Sequence, residues 1–234
     1  MKVIVCPMQE ELDALLGKLD SYSEADYGLI KGYKFDTKRG ECFAFVAKIG
    51  KTNIGFDLGY LASKMDIEAI FNIGVGGSLD PTLVPLNVVV ADKVCYYDCD
   101  LTPAGNYLLG QMADNPLYFE CDKELVKELT NTTTTLTVRK GTIISGDSFG
   151  TYKNMTAELL KHFDNPLVVD MESGACGQVA LRLNVPFVVI RSISDNIIDD
   201  EKRQSDVYEE YLEMSAKRAA SVLVHYLNKD MLED

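Results

Sequence analysis

Short apolar runs rich in β-branched residues alternate along this chain with longer stretches in which apolar residues recur at helical spacing. Residues 3–6, 69–73, 88–91 and 186–193 have the character of buried strands, and residues 207–227 have that of an amphipathic helix. Strands that are apolar on both faces require helices on both sides of the sheet. The sequence therefore predicts an α/β fold with a central, largely buried sheet flanked by helices.

No internal repeat or linker divides the 234 residues, so we expect a single domain over residues 1–234. A compact chain of this length buries roughly 70% of the surface that its extended form exposes, which favours one large core. The Thr-rich residues 130–137 carry no charge. We interpret them as a helix end and a turn before the next strand rather than as a linker.

The chain is strongly acidic, with 36 Asp and Glu residues against 23 Lys and Arg residues and a formal charge of −13. This charge repels phosphate backbones and anionic lipids, so we expect no nucleic acid and no membrane partner. The 6 cysteines form no C-x-x-C pair and only 2 histidines are present, so we expect reduced structural thiols and no metal. No apolar run reaches the ~18 residues of a membrane span, and we expect a cytoplasmic protein.

Polar residues follow directly after several of the predicted strands. In open α/β sheets ligands bind beyond the carboxyl ends of the strands, so these residues are candidates for one site. Five places share this position: Glu10 with Glu11, the glycine-rich residues 74–78, residues 145–149, Asp170 with Glu172, and residues 191–195.

Each of the five places has a structural alternative. Acids are common in the first turn of a helix, glycines allow sharp turns, an aspartate can cap a helix, and a phenylalanine usually lies in a core. The glycines also lack the spacing of dinucleotide-binding and phosphate-binding loops. These alternatives apply to Glu10 and Glu11, to Asp170 and Glu172, to Gly74, Gly76 and Gly77, to Asp195 and to Phe149.

The shared position of the five places at one end of the sheet favours a single pocket. This pocket would combine several carboxylates, a glycine backbone and an aromatic face, with no histidine and few cations. Carboxylates accept hydrogen bonds from hydroxyl groups, and flat rings stack on phenylalanine. The inventory therefore suits a neutral, flat heterocycle that carries hydroxyl groups.

Seven collinear segments carry a family resemblance. They are residues 8–11 (Met-Gln-Glu-Glu), 48–51 (Lys-Ile-Gly-Lys), 72–77 (Asn-Ile-Gly-Val-Gly-Gly), 97–102 (Tyr-Asp-Cys-Asp-Leu-Thr), 145–149 (Ser-Gly-Asp-Ser-Phe), 170–172 (Asp-Met-Glu) and 185–195. In this order and spacing they resemble the nucleoside phosphorylase and nucleosidase superfamily, specifically its 5'-methylthioadenosine/S-adenosylhomocysteine nucleosidases. The resemblance implies a nucleoside phosphorylase-like fold with a mixed, twisted central sheet, a purine nucleoside as substrate, and no cofactor.

The resemblance also implies catalytic and ribose-binding roles. By position, Glu11 matches the glutamate that activates water, and Asp195, supported by Ser194, matches the acid that protonates the purine. Met171 and Glu172 match the pair that binds the ribose. The catalytic pair is therefore expected to be Glu11 and Asp195.

Further substrate contacts are implied in the same way. Phe149 is expected to stack on adenine, with the backbone of Gly150 at the edge of the base. Tyr208 offers a possible aromatic wall, although a tyrosine there is equally consistent with the core or the surface. The other implied contacts are Ile49, Val75, Gly76, Gly77 and Arg191.

Family members are usually homodimers in which one segment closes the neighbour's 5' pocket. Here this segment begins at Leu101 and ends at Met112. Ala104 and Asn106 stand in it where aromatic residues are common, which leaves the 5' substituent of the substrate open. The helix predicted over residues 54–65 belongs either to the core or to an interface, because periodicity does not distinguish the two. Val75-Gly76, Gly150 and Asp170 also depart from the usual residues of the family.

The chemistry of N-glycosidic cleavage explains why two carboxyls are needed. Positive charge develops on the ribose and negative charge on the purine, so an acid must reach purine N7 while a base prepares water on the opposite sugar face. Inverting glycosidases separate such a pair by ~6.5–9.5 Å to leave room for the water. The acid, Asp195, also needs a raised pKa, which a closed apolar pocket can supply.

The cations of the chain favour hydrolysis over phosphorolysis. A phosphorylase binds phosphate with arginines near the ribose. Among the candidate segments only the last contains an arginine, Arg191. We therefore expect hydrolysis of 5'-methylthioadenosine and S-adenosylhomocysteine. The alternatives are a purine nucleoside phosphorylase, a nucleosidase for another 5' substituent, and a noncatalytic nucleoside-binding protein.

Overall fold

The computed structural model describes residues 1–131, 137–197 and 200–229. Over these ranges ten strands form one mixed sheet. The strands are β1 (Lys2–Cys6), β2 (Ser23–Asp26), β3 (Lys31–Thr37), β4 (Gly40–Val46), β5 (Ala69–Ser78), β6 (Val88–Tyr96), β7 (Phe119–Glu120), β8 (Val138–Ser145), β9 (Pro166–Asp170) and β10 (Phe187–Asn196). The helices are α1 (Gln9–Leu16), α2 (Lys51–Ala62), α3 (Lys123–Thr130), α4 (Ala157–Leu160), α5 (Ser173–Leu183) and α6 (Glu201–Asn228).

The strands follow the order β10-β6-β8-β9-β5-β1-β4-β3-β2, and β7 pairs with β6. Because β5 also pairs with β10, five of the strands close into a ring, whereas β1 to β4 extend from it. β5 is parallel to β1 and β10 and antiparallel to β9. The predicted α/β fold with a mixed central sheet and flanking helices is confirmed, and the closed ring is a feature that the sequence did not reveal.

Helices cover the sheet in two groups. α6 packs on β5, β10 and α1, whereas α2 packs on α5, which contacts β6 and β8. The central strands are buried on both faces, as their apolar composition predicts. No helix within the described ranges is both long and apolar enough to cross a membrane.

β5 continues through the glycine-rich residues 74–78, so the interpretation of these glycines as a turn was wrong. The glycines allow neighbouring elements to approach the strand closely. A Cβ on Gly76 would lie only 2.6 Å from Cγ1 of Val168, and a Cβ on Gly77 would lie 3.3 Å from Cδ1 of Ile197. Close packing around the carboxyl half of β5, rather than a sharp bend, therefore requires small residues there.

A bulge interrupts the pairing of β10 with β5. Ile193 lies opposite Gly76 and Asp195 opposite Gly77, so Ser194 is the extra residue. Bulges re-aim the side chains that follow them. The bulge in β10 turns the side chain of Asp195 towards Gly77, at the end of the sheet where the predicted site residues lie.

Several element boundaries differ from the predictions. β2 was not predicted, because its four residues are mostly exposed and carry no apolar run. α2 begins at Lys51, before the predicted residue 54, and α6 begins at Glu201, before the predicted residue 207. Most of the Thr-rich stretch, residues 132–136, lies outside the described ranges.

Candidate active site

A cavity opens at the carboxyl ends of β1, β5, β8, β9 and β10. This is the edge of an α/β sheet at which ligands usually bind. The cavity is lined by Pro7, Met8, Glu11, Ile49, Val75, Gly76, Gly77, Ser148, Phe149, Gly150, Asp170, Met171, Glu172, Ser194, Asp195 and Tyr208. The structure thus brings together all the predicted site residues except Arg191.

Glu11 enters the cavity from the first turn of α1. Its Oε2 accepts a hydrogen bond from the backbone N–H of Met8 at 2.8 Å, and its Oε1 accepts one from the N–H of Val75 at 3.0 Å. The carboxyl fills the space above Gly74, where a Cβ would overlap Oε1. The expectation of a helix-start acid is therefore half right, since Glu11 binds the N–H that precedes α1 but is buried at the cavity wall.

Burial raises the pKa of Glu11 to about 8. The positive charge of Arg191 and the two backbone N–H groups lower the pKa, but they only partly offset the cost of moving a charged carboxylate away from water. The negative charge of Glu172 raises it further. Glu11 therefore holds a proton at neutral pH more often than an exposed glutamate does.

Arg191 differs from its prediction as a substrate contact. It is fully buried behind the cavity wall, with Nη2 at 2.8 Å from Oδ2 of Asp170 and 3.7 Å from Oε2 of Glu172. The same Nη2 donates to Oδ1 of Asn72 at 2.6 Å. Because carboxylates and carbonyls already surround the guanidinium, its role is to compensate the charge of the acids that line the cavity.

Glu172 lies at the start of α5, between Arg191 and the start of α2. Its Oε1 accepts a hydrogen bond from the N–H of Gly50 at 3.0 Å. Gly50 has a φ of 105°, a conformation that favours glycine, so its N–H can point at the carboxylate. Burial raises the pKa of Glu172, and the charge of Asp170 raises it further, while Arg191 opposes both.

Lys51 anchors this segment to the rest of the site. Its Nζ lies 2.8 and 2.7 Å from the two carboxylate oxygens of Asp98, and its backbone N–H donates to Oδ1 of Asp147 at 2.9 Å. The N–H of Asp147 in turn donates to Asp98 at 2.9 Å. The cluster joins the Gly50 donor to the loop that carries Phe149.

Replacing Lys51 by Met is expected to raise KM for the nucleoside about fivefold and to leave kcat nearly unchanged. Lys51 does not line the cavity. Its loss therefore loosens the Glu172 contact and the Phe149 loop, a cost of about 1 kcal/mol for a partly exposed ion pair. Steady-state kinetics of the variant, with the exposed Lys123→Met as control, measure the effect. An unchanged KM would contradict a positioning role for the cluster.

Asp195 reaches the cavity from the bulge in β10 and is almost fully buried. Its Oδ1 lies 2.6 Å from Oγ of Ser194, and its Oδ2 lies 2.7 Å from Nε2 of Gln204. Burial raises the pKa of Asp195, and these two hydrogen bonds lower it. The alternative that Asp195 caps a helix is wrong, because Asp200 caps α6.

Glu11 and Asp195 contact β5 at different points along the strand. Oε1 of Glu11 accepts from the N–H of Val75, whereas Oδ2 of Asp195 lies 3.5 Å from the position of a Cβ on Gly77. At about 3.3 Å per residue, these two points are separated by roughly 7 Å. Both acids line the same cavity.

Two aromatic rings form another wall of the cavity. Phe149 and Tyr208 meet edge to face, with ring centroids 5.5 Å apart and planes at 87°. Phe149 is 45% exposed, so the core alternative for it was wrong. Its open face can stack on a flat ring. Tyr208, half-buried, lies with its hydroxyl 3.6 Å from Sδ of Met8.

Two supporting residues escaped the sequence reasoning. Gln204 and Asn72 bind Asp195 and Arg191 through their side-chain amides. Asn72 follows the apolar residues 69–71 but lies inside β5, and Gln204 lies in α6, so neither marks the carboxyl end of a strand. Their burial, which is a property of the fold, is what distinguishes them.

The phosphorylase superfamily pattern matches residues 2–228 of this chain, so the chain belongs to that superfamily. Its similarity to a 5'-methylthioadenosine/S-adenosylhomocysteine nucleosidase of Desulfotalea psychrophila is 33% identity over 226 residues, or 95% of both chains. At this level of identity and coverage, the chain is a member of the 5'-methylthioadenosine/S-adenosylhomocysteine nucleosidase family, whose enzymes are N-glycosyl hydrolases. The predicted family is confirmed.

Solved structures of such nucleosidases have the same fold. The Streptococcus pneumoniae enzyme with the transition-state inhibitor MT-ImmA matches with a TM-score of 0.89 at 32% identity, and all of both chains is covered. The Streptococcus pyogenes enzyme in complex with 5-methylthiotubericidin matches with a TM-score of 0.89 at 29% identity, covering 100% of this chain and 98% of that one.

Proposed function

We propose that this protein hydrolyses the N-glycosidic bond of 5'-methylthioadenosine and S-adenosylhomocysteine and releases adenine and the 5-thioribose product. The observation that carries the proposal is the placement of Glu11 and Asp195, remote in the sequence, at one cavity and at separate points along β5. The names of the relatives and the inhibitor-bound structures support the substrate class. A place in the cytoplasm stays a prediction of the sequence.

Asp195 acts as the general acid and donates a proton to N7 of the departing purine. Its burial disfavours the ionised form, so the carboxyl keeps a proton to higher pH than an exposed aspartate does. Ser194 and Gln204 hold the carboxyl in place. Phe149 stacks on the base and holds N7 at the acid.

Glu11 acts on the opposite face of the sugar, where it orients and deprotonates the attacking water. The base must be ionised, and its pKa of about 8 means that more of it becomes available as the pH rises towards that value. Glu172 binds the ribose hydroxyls, and its negative charge stabilises the oxocarbenium-like transition state.

The lining of the cavity favours water over phosphate as the nucleophile. None of the described residues that line the cavity is an arginine, lysine or histidine, whereas four are acidic. Arg191 is enclosed by Asp170, Glu172 and Asn72. A phosphate dianion would meet carboxylates without a free cation, which is costly in a buried site.

The experiment that tests the proposed function is incubation of the purified protein with 5'-methylthioadenosine in buffer without phosphate. We expect release of adenine and the free thioribose, with a rate that does not increase when phosphate is added. Strict dependence on phosphate and formation of a ribose 1-phosphate would contradict hydrolysis. A panel of adenosine nucleosides that differ at the 5' position then defines the preferred 5' substituent.

We also propose that the protein is a homodimer and that α2 contributes to its interface. Phe56 on the outer face of α2 is 57% exposed, and the neighbouring Gly55 and Gly59 have open space above them. A second backbone can approach such a surface closely. In the 101–112 segment Leu108 is 60% exposed, which is consistent with a surface covered by a second copy.

Replacing Phe56 by Glu is expected to convert the dimer into monomers, because a charge replaces an apolar contact at the interface. We expect kcat/KM to fall at least tenfold as well, since the 101–112 segment of the neighbour no longer closes the 5' side. Light scattering after size exclusion measures the mass, with Met214→Glu on α6 as a control. A dimeric variant, or a fully active monomer, would contradict this role.

A further inference from the structure

Gln204 joins the proton donor to the backbone at the edge of the base site. Its Nε2 lies 2.7 Å from Oδ2 of Asp195 and 2.8 Å from the carbonyl oxygen of Gly150. The side chain is almost fully buried in the first turn of α6, behind the cavity wall rather than at its surface. One amide group therefore connects β10, α6 and the loop after β8.

The chemistry of the two partners fixes which way the amide points. The carbonyl oxygen of Gly150 can only accept a hydrogen bond, so the group that faces it must be the NH₂ of Gln204. The same NH₂ then donates to Oδ2 of Asp195. The Gln204 oxygen has no partner in the described structure. The Asp195 Oδ2 and Gly150 carbonyl oxygens each keep a lone pair, and both residues line the cavity.

The connection is tight because Gly150 itself cannot move far. A Cβ on Gly150 would lie 2.5 Å from Cγ1 of Val169 and 3.3 Å from Cδ1 of Ile197, so the backbone is pressed against these side chains. On the other side, Ser194 binds Oδ1 of Asp195 at 2.6 Å. The acid and the carbonyl are thus held at a fixed separation by contacts at both ends.

We propose that Gln204 is a positioning residue that keeps Asp195 and the Gly150 carbonyl together as a pair of acceptors, and that it thereby selects purines with a hydrogen-bond donor at position 6. The inference rests on the proposed function, in which Asp195 lies at N7. The 6-substituent is the neighbour of N7 on the purine edge. An amino group there can donate to both acceptors, whereas an oxo group would face two oxygens.

The pKa of Asp195 supplies a readout that a merely structural residue would not move. Burial raises this pKa, and hydrogen bonds from Ser194 and Gln204 lower it, with no charged group contributing. Loss of the Gln204 donor therefore raises the pKa. Because Asp195 must be protonated to act as an acid, the limb of the pH profile that reports Asp195 then moves to higher pH.

The test compares Gln204→Met and Gln204→Glu with the wild-type enzyme. Met removes the amide, and Glu keeps its shape while removing the NH₂, so the Glu variant carries the test if the Met variant fails to fold. The exposed Lys202→Met in the same helical turn is the control. We measure kcat/KM on 5'-methylthioadenosine and 5'-methylthioinosine, the pH profile, and the binding of free adenine and hypoxanthine by calorimetry.

We expect the preference for the 6-amino over the 6-oxo nucleoside to fall about tenfold or more in both variants, because a buried site rejects a mismatched polar group strongly. The limb of the pH profile that reports Asp195 should move to higher pH in both. Equal losses on both nucleosides with an unmoved limb, or no change at all, would overturn the inference. If the wild-type protein cleaves neither nucleoside, the proposed function fails, and the adenine-to-hypoxanthine affinity ratio alone decides the role of Gln204.

Discussion

Replacing Asp195 by Asn is expected to lower kcat on 5'-methylthioadenosine by roughly 10²–10⁴-fold, the range typical of a lost general acid. Asn keeps the size of the side chain and one acceptor oxygen but has no acidic proton to give to N7. The purine then has to leave as an anion. Binding of adenine should change only a few-fold, since stacking on Phe149 and the contacts of the cavity wall remain.

The measurement combines kcat with the affinity for adenine, and the exposed Asp206→Asn on α6 serves as a control. A loss of turnover with retained binding separates catalysis from simple recognition of the nucleoside. Unchanged turnover would mean that another group protonates the purine. A noncatalytic protein would have no turnover to lose in either form.

Replacing Glu11 by Gln is expected to lower kcat/KM by a similar factor of roughly 10²–10⁴, because the amide cannot take a proton from water. The matched control is Glu10→Gln, which changes the adjacent exposed residue of the same helix. Since Glu10 does not line the cavity, its variant should keep full activity. Equal activity of the two variants would contradict the role of Glu11 as the base.

The pH dependence of kcat/KM also tests the assignment of Glu11 as the base. Glu11 must be ionised in the free enzyme, and burial raises its pKa to about 8, so one limb of the kcat/KM profile should lie near that value. The Gln variant should lose this limb. A wild-type limb close to the ordinary glutamate pKa of ~4.3 would indicate that the base is more hydrated than its burial implies.

Thermal stability gives a second readout for Glu11. Its pKa is higher in the folded protein than in the unfolded chain, so stability falls as the pH rises from the ordinary glutamate pKa of ~4.3 to about 8 and stays level above it. The Gln variant should therefore melt at a higher temperature than the wild type at pH 9 and at a similar temperature at pH 5. Burial of Glu11 therefore lowers the stability of the folded protein at high pH while it places the catalytic base at the cavity.

The fold was largely predictable because its central strands are apolar on both faces. β1, β6 and β10 are short runs of Val and Ile, and α6 repeats its apolar residues with helical period. The exposed β2 has no such pattern, since half-exposed hairpins depend on cross-strand neighbours. The closed ring depends on the pairing of β5 with β10, which is a long-range contact that local periodicity does not encode.

The place of the site was predictable from polar residues at the carboxyl ends of strands, whereas the partners of those residues were not. Glu11 follows the apolar run of β1 in the pair with Glu10, and Asp195 lies at the end of the apolar run of β10. Arg191 looked like a substrate contact in the sequence but is enclosed by Asp170 and Glu172. The hydrogen bond from Gln204 to Asp195 forms only when α6 packs against β10, so the sequence alone does not reveal it.

The central claim is that Glu11 and Asp195 face one bound nucleoside from opposite sides of its glycosidic bond. A crystal structure with a nonhydrolysable 5'-methylthioadenosine analogue tests it most directly. We expect an oxygen of Asp195 within about 2.6–3.2 Å of the atom at position 7, and Glu11 at a similar distance from a water below the anomeric carbon. An analogue bound in another cavity, or with both carboxyls on one face of the sugar, would contradict the account.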